Sequence, residues 1–176
     1  GTTSRGLGDV YKRQENGGLN YDIASKCDLG IITVPFSSQT ETLEGLIEPL
    51  KNKILIDATV PLIPPKVMRV QLPKEGCAAL KAQMILDEST QVVSAFQNIS
   101  AELLQSDAMI DCDVLVCGDK KAAREEVISL INKIGLTGWH AGPLCNSAAA
   151  EALTSILIAI NKNHEIKHSG IKITGV

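Results

Sequence analysis

The chain of 176 residues carries 17 Lys and Arg against 20 Asp and Glu, a formal net charge of -3, and is 44% apolar with only two Phe, two Tyr and one Trp. That balance offers no basic footprint for a phosphodiester backbone and no aromatic platform for stacked bases, so no nucleic acid partner is expected. The length fits one domain or slightly more and the apolar fraction suffices for a packed core, while no apolar run reaches the roughly 18 residues of a membrane span, so no membrane partner is expected.

Gly1 to Gln14 are polar and Gly-rich, with no periodicity linking them to the rest of the chain, and are expected to form a disordered or non-native lead-in. Their Gly6-x-Gly8 fragment has Tyr11 where a dinucleotide fingerprint needs its third Gly, and it lacks the flanking strand and helix. From Asn20 onward the pattern is regular. Runs of strand length and β-branched character occur at Leu29 to Val34, Ile54 to Ile56, Val92 to Phe96, Val114 to Cys117 and, weakly, Gly138 to Ala141. Between them the spacing predicts amphipathic helices over about Gln39 to Leu50, with Leu43, Leu46, Ile47 and Leu50 on one face, and over Lys120 to Ile134. Asp119 is the candidate N-cap of the second and Gly135 its candidate stop.

A further helix, from about Asn146 to Lys162, is apolar or small nearly all round and starts at Asn146 or Ser147 as cap. Burial on every side in so short a chain implies a subunit interface as much as a core. Glu151 interrupts this helix within its first turns, where a carboxylate gains from the helix dipole.

Strands alternating with helices predict the α/β class with a parallel sheet covered on both faces. Leu29 to Val34 is apolar almost continuously, as a strand in the middle of such a sheet would be, yet it is the first strand. The chain is therefore expected to be the C-terminal part of a longer α/β protein, since an exposed flat apolar edge favours aggregation. The cysteines, Cys27, Cys77, Cys112, Cys117 and Cys145, are odd in number and scattered, so free thiols in a cytosolic chain are expected rather than disulfides or zinc.

Ligands of open α/β sheets sit beyond the carboxyl ends of the strands. That rule selects Val34-Pro35-Phe36-Ser37-Ser38, Asp57-Ala58-Thr59-Val60-Pro61 and Ser94-Ala95-Phe96-Gln97-Asn98. Pro stiffens two of these turns, which either presents Val34, Phe36 and Val60 to a flat ring or merely ends a strand. His140, His164 and His168 lack metal-ligand spacing and no nucleophile elbow is present, so neither a metal nor a catalytic side chain is assigned. His168 reads as a surface residue, with Gly170 beyond it hinting at close backbone approach, and Lys66 and Arg69 as a solvated pair or an anion contact.

Four strings carry a family likeness: Ile56-Asp57-Ala58-Thr59-Val60-Pro61-Leu62, Val92-Val93-Ser94-Ala95-Phe96-Gln97-Asn98, Cys112-Asp113-Val114-Leu115-Val116-Cys117-Gly118-Asp119 and Ala141-Gly142-Pro143-Leu144-Cys145-Asn146-Ser147. In this order the chain resembles the NADPH-dependent reductases of the deazaflavin coenzyme F-420, from about Asn20 to the C-terminus and including Glu151-Ala152-Leu153-Thr154 and Gly170-Ile171-Lys172.

The resemblance implies a Rossmann-like domain, here partial over 15–141, and a small helical region over 142–176 that dimerises and binds coenzyme. It implies a cytoplasmic homodimer joined through the 146–162 helix, with NADP and coenzyme F-420 as cofactors and hydride passing between their rings. By position Phe36, Val60 and Ala101 match NADP contacts, and Val34, Pro35, Thr59 and Pro61 of the same turns are further expected cofactor contacts. Ser94, Phe96, Gln97 and Asn98 match the deazaflavin side, as does the tail around Ser169. Gln97 stands where some members have His, and neither a Gly-rich phosphate loop nor a 2′-phosphate site is found. Two other readings stand beside this one: a pyrroline-5-carboxylate reductase-like enzyme, which would need a proton donor or polar clamp, and a noncatalytic dimerising fragment.

Overall fold

Five strands and six helices alternate along the residues that the computed structural model describes, 18–106 and 109–176, and the expected lead-in over 1–14 lies outside them. The elements are α1 (Asn20–Lys26), β1 (Leu29–Ile32), α2 (Phe36–Glu44), β2 (Ile54–Asp57), α3 (Ala78–Ile85), β3 (Gln91–Ser94), α4 (Ala101–Gln105), β4 (Asp113–Gly118), α5 (Lys121–Lys133) and β5 (Thr137–His140). A 3-10 turn, Leu144–Asn146, leads into α6 (Ser147–His164). The strands lie in the order β1-β2-β3-β4-β5.

The predicted α/β class holds, with one departure. β1, β2 and β3 are parallel, but β4 runs antiparallel to β3, and β5 is parallel to β4. A parallel neighbour needs a crossover back to the opposite end of the strands, usually a full helix. Between β3 and β4 the described residues hold only the five-residue α4, and the chain re-enters the sheet from the end at which it left. The register sets Ile32, Asp57 and Ser94 side by side at the carboxyl ends of three strands.

Alternating side chains divide the core. Leu55 and Val92 join Leu43 of α2, Ala79 and Ala82 of α3, and Leu144 on one face. Ile54, Ile56, Val93, Val114 and Val116 meet Ala123, Val127 and Ile131 of α5 on the other. The doubly buried strand is β2, all four of whose residues are buried, and not β1, where Ile31 is 50% exposed. Among the described residues β1 is the edge, with β2 alone beside it, and a strand needs neighbours on both edges to lose both faces to the core.

Two helix ends differ from expectation for local reasons. α2 begins directly after Pro35 and stops at Glu44, so Leu46 to Leu50 continue as turns that still bury Leu50. Pro49 explains the stop: it has no N–H to donate and biases Glu48 away from helical backbone. Asp119 does not cap α5 but accepts the Leu144 N–H at 2.9 Å, leaving Lys120 as the N-cap residue with no side-chain bond. Gly135 ends α5 as expected, at φ 84°.

α6 also starts without a side-chain cap, because Asn146 Nδ2 donates to Ala141 O and Ser147 turns into the domain. With the preceding turn it is long and apolar enough to cross a membrane, 21 residues at a mean hydropathy of 1.3, which the count of uninterrupted apolar residues did not bring out. Its buried face is largely polar, Ser147, Glu151 and Ser155 among Ala150 and Leu157, while Ile156 points outward at 48% exposure.

Candidate functional site

The three aligned strand ends place their turns next to one another. In the first, Pro35 at φ -55° starts α2, Val34 and Phe36 are half-buried, and Lys81 Nζ lies 4.7 Å from the Phe36 ring centre. In the second, Asp57 is buried; its Oδ1 accepts the Thr59 N–H at 2.7 Å and its Oδ2 accepts Gln39 Nε2 at 2.8 Å. Thr59 and Pro61 are buried with Val60 half-buried between them. In the third, Phe96 adopts φ 73°, a strained conformation for a bulky side chain of the kind that collects at functional turns.

That strained turn is held on every side. Gln97 Nε2 donates to Asp57 O and to Ser94 Oγ, both at 2.9 Å. Asn98 Nδ2 donates to Asp113 O at 2.8 Å, with Cys112 Sγ at 3.3 Å, and Gln97 O accepts from Thr154 Oγ1 of α6 at 2.8 Å.

A buried circuit of hydrogen bonds closes behind the turns. Ser94 Oγ lies 2.5 Å from Ser147 Oγ, which lies 2.8 Å from Glu151 Oε1. Glu151 accepts the Ala78 and Ala79 N–H groups at 2.7 and 3.1 Å, at the N-terminus of α3, and Gln39 Nε2 returns from Ala78 O to Asp57. The Glu151 carboxylate thus does meet a helix dipole, but that of α3 rather than of its own helix. Burial pushes Glu151 up to about 7, against the hydrogen bonds from Ala78, Ala79 and Ser147 that favour its charge, with Asp57 adding repulsion. Burial likewise raises Asp57, opposed by its hydrogen bonds from Thr59 and Gln39. The Cys77 and Cys117 thiols rise to about 11, again through burial, so neither is a nucleophile at neutral pH.

Chemically the turns offer apolar and amide groups rather than an acid or base facing outward. Both carboxylates are buried within the circuit. Gln97 commits both amide hydrogens internally, so only its Oε1 is left to meet a ligand, as an acceptor. No group of His, Cys, Asp and Glu that could hold a metal occurs among the described residues, and all five cysteines are free.

Of the site residues expected from sequence, Thr59, Ser94, Gln97 and Asn98 are buried in this network, and Val34, Phe36, Val60 and Phe96 are half-buried beside it. Pro35 is exposed at the start of α2, and Ala101 is exposed at the start of α4. Ser169 lies against α6, its N–H donating to Asn161 Oδ1 at 2.9 Å and its hydroxyl to Leu157 O at 3.2 Å. The close approach expected near His168 is real: a Cβ at Gly170 would stand 2.5 Å from Cys112 Sγ. Lys66 and Arg69 are exposed, and Arg69 enters the contacts through its carbonyl, which accepts from Ser155 Oγ. Sequence reasoning missed Gln39 and Ser147, which carry no spacing signal. Glu151 did carry one, since a carboxylate in an otherwise apolar helix needs buried partners.

No family model matches the chain. It is 39% identical over 162 residues to the F-420-dependent NADP reductase of Methanocaldococcus jannaschii, covering 89% of this chain and 72% of that protein. It is 37% identical over 166 residues to the enzyme of the same name from Methanothermobacter thermautotrophicus, covering 91% and 72%. In fold it matches a crystal structure from Arthrobacter sp. FB24, provisionally assigned as an F-420-dependent NADP reductase, with a TM-score of 0.75 at 22% identity over 88% of this chain and 72% of that one. Identity at this level over most of both chains establishes that this chain belongs to the F-420-dependent NADP reductase family.

Proposed function

We propose that the protein transfers a hydride between NADPH and coenzyme F-420, with the turns after β1, β2 and β3 forming the floor on which the two rings meet. The observation that carries this reading is the 36 to 39% identity, over about nine-tenths of the chain, to proteins named for that activity. The turns fit flat partners: Val34, Phe36, Val60 and Phe96 are partly open apolar surfaces on stiffened backbone, and Gln97 keeps an acceptor free. When bound, the nicotinamide supplies the hydride and the deazaflavin the carbon that accepts it.

The chain's own residues hold and shield. Val34, Pro35 and Phe36 with Thr59, Val60, Pro61 and Ala101 take the NADP side. Ser94, Phe96, Gln97 and Asn98 with Ser169 take the deazaflavin side. Holding two rings at near-attack distance is worth about 7 to 11 kcal/mol of barrier, which lets a site without an outward acid or base suffice. The helical region over 142–176 pairs two copies through α6 in a homodimer, whose outward Ile156 the second copy covers.

Bleaching of F-420 absorbance on adding NADPH tests the reaction, and no bleaching under conditions where NADPH binds overturns it in favour of a small-imine reductase. Val60→Arg is expected to abolish bleaching while leaving the far-UV circular dichroism unchanged. Undiminished turnover would remove Val60 from the site.

A further inference from the structure

The C-terminal tail after α6 has no regular secondary structure, yet it is tied down at one residue. Asp113, at the start of β4, donates its N–H to Ile171 O at 2.9 Å. Its Oδ2 accepts the Ile173 N–H and Trp139 Nε1, both at 2.9 Å. Lys172 Nζ stands 3.3 Å from Asp113 Oδ1 and 2.6 Å from Asp111 Oδ1. On its other side Asp113 O accepts Asn98 Nδ2 at 2.8 Å, and the neighbouring Cys112 fills the space against Gly170. Asp113 therefore bonds both to the turn after β3 and to the tail.

We propose that Asp113, with Lys172 as its counter-ion, is a positioning residue that latches Ile171–Ile173 to β4 and so sets Ser169 and Gly170 at a fixed distance from Asn98 on the deazaflavin side of the cleft. This rests on the reading of Ser169 and Asn98 as coenzyme contacts. The reach of the chain makes the latch effective. Ser169 stands two chain steps before Ile171, which limits its excursion to about 7 Å once Ile171 is held. The side chain suits this role, for Asp113 is 2% exposed and its carboxyl is held below the ordinary carboxylate range, by the Ile173 N–H first and then by Trp139 and Lys172.

The test combines amide hydrogen exchange with titration of F-420 fluorescence on the full chain, comparing wild type, Lys172→Met, Asp113→Asn, Lys172→Arg and Ser169→Ala. Lys172→Met and Asp113→Asn are expected to speed exchange over 169–173 while leaving α6 protected and the thermal midpoint within a few degrees. Both are expected to weaken F-420 binding about tenfold, with Lys172→Arg restoring it. Unchanged exchange in the tail overturns the latch whatever the coenzyme does. If the tail loosens but F-420 affinity holds while Ser169→Ala weakens it, the positioning role is overturned and the site reading survives. If wild type itself does not bind F-420, the site reading falls and the positioning role with it.

Discussion

Glu151 shows how much one buried side chain can decide. Its carboxyl, ordinarily near 4.5, is raised by burial to about 7, so between those values the native state keeps a proton that the unfolded chain has released. Stability is then complete below pH 4.5 and falls as pH rises through 7, by roughly 3 kcal/mol in all at 1.36 kcal/mol per pKa unit. Glu151→Gln should flatten that slope in thermal melts between pH 4.5 and 8. It should also cost about 1 to 2 kcal/mol at low pH, because the amide NH2 replaces one of the two oxygens that accept from Ala78 and Ala79 and cannot accept at all. A slope undiminished in the variant would place the titration on Asp57, whose carboxyl burial also raises. Gly142 is decided just as locally: its φ is 96° and a Cβ there would stand 2.6 Å from Asn146 Nδ2. Gly142→Ala should cost about 1 to 3 kcal/mol, read from urea unfolding, with the loss centred on the turn before α6.

At the scale of elements, the strands were readable from their apolar runs to within a residue or two, because burial imposes composition directly. Helix starts were less so. Asp119 has the chemistry of an N-cap and the right place for one, but its carboxylate bonds Leu144 instead, since that turn is brought against it by folding. Asp119→Ala is accordingly expected to cost about 1 kcal/mol and to speed amide exchange at Leu144 rather than in the first turn of α5. Faster exchange confined to α5 would restore the capping role. The stop of α2 was legible in principle, as Pro49 sits inside the predicted helix, yet Leu46, Ile47 and Leu50 kept the helical spacing that masked it. They pack against the same core from turns.

In the whole molecule, α6 turns Ser147, Glu151 and Ser155 inward beside Ala150 and Leu157 while leaving Ile156 exposed, a mixture that an ordinary amphipathic surface helix avoids. Ser147, Glu151 and Ser155 dock it to the sheet ends and the loop carrying Arg69. Ile156 is 48% exposed on the far side, where the proposed homodimer places the second copy. Ile156→Glu should shift the protein to monomer in sedimentation equilibrium without lowering its unfolding midpoint. A species unchanged in mass would exclude this face as the contact between copies.

The α/β class, the strand positions, the turns at the strand ends and the family likeness were all determined by the sequence itself, because each rests on local spacing or on a short ordered string. The antiparallel turn into β4, the circuit joining Asp57, Gln39, Ser94, Ser147 and Glu151, and the contacts of Asp113 with the tail were decided only by the tertiary structure. These join residues tens of positions apart, and hydrogen bonds between such residues leave no periodic trace along the chain.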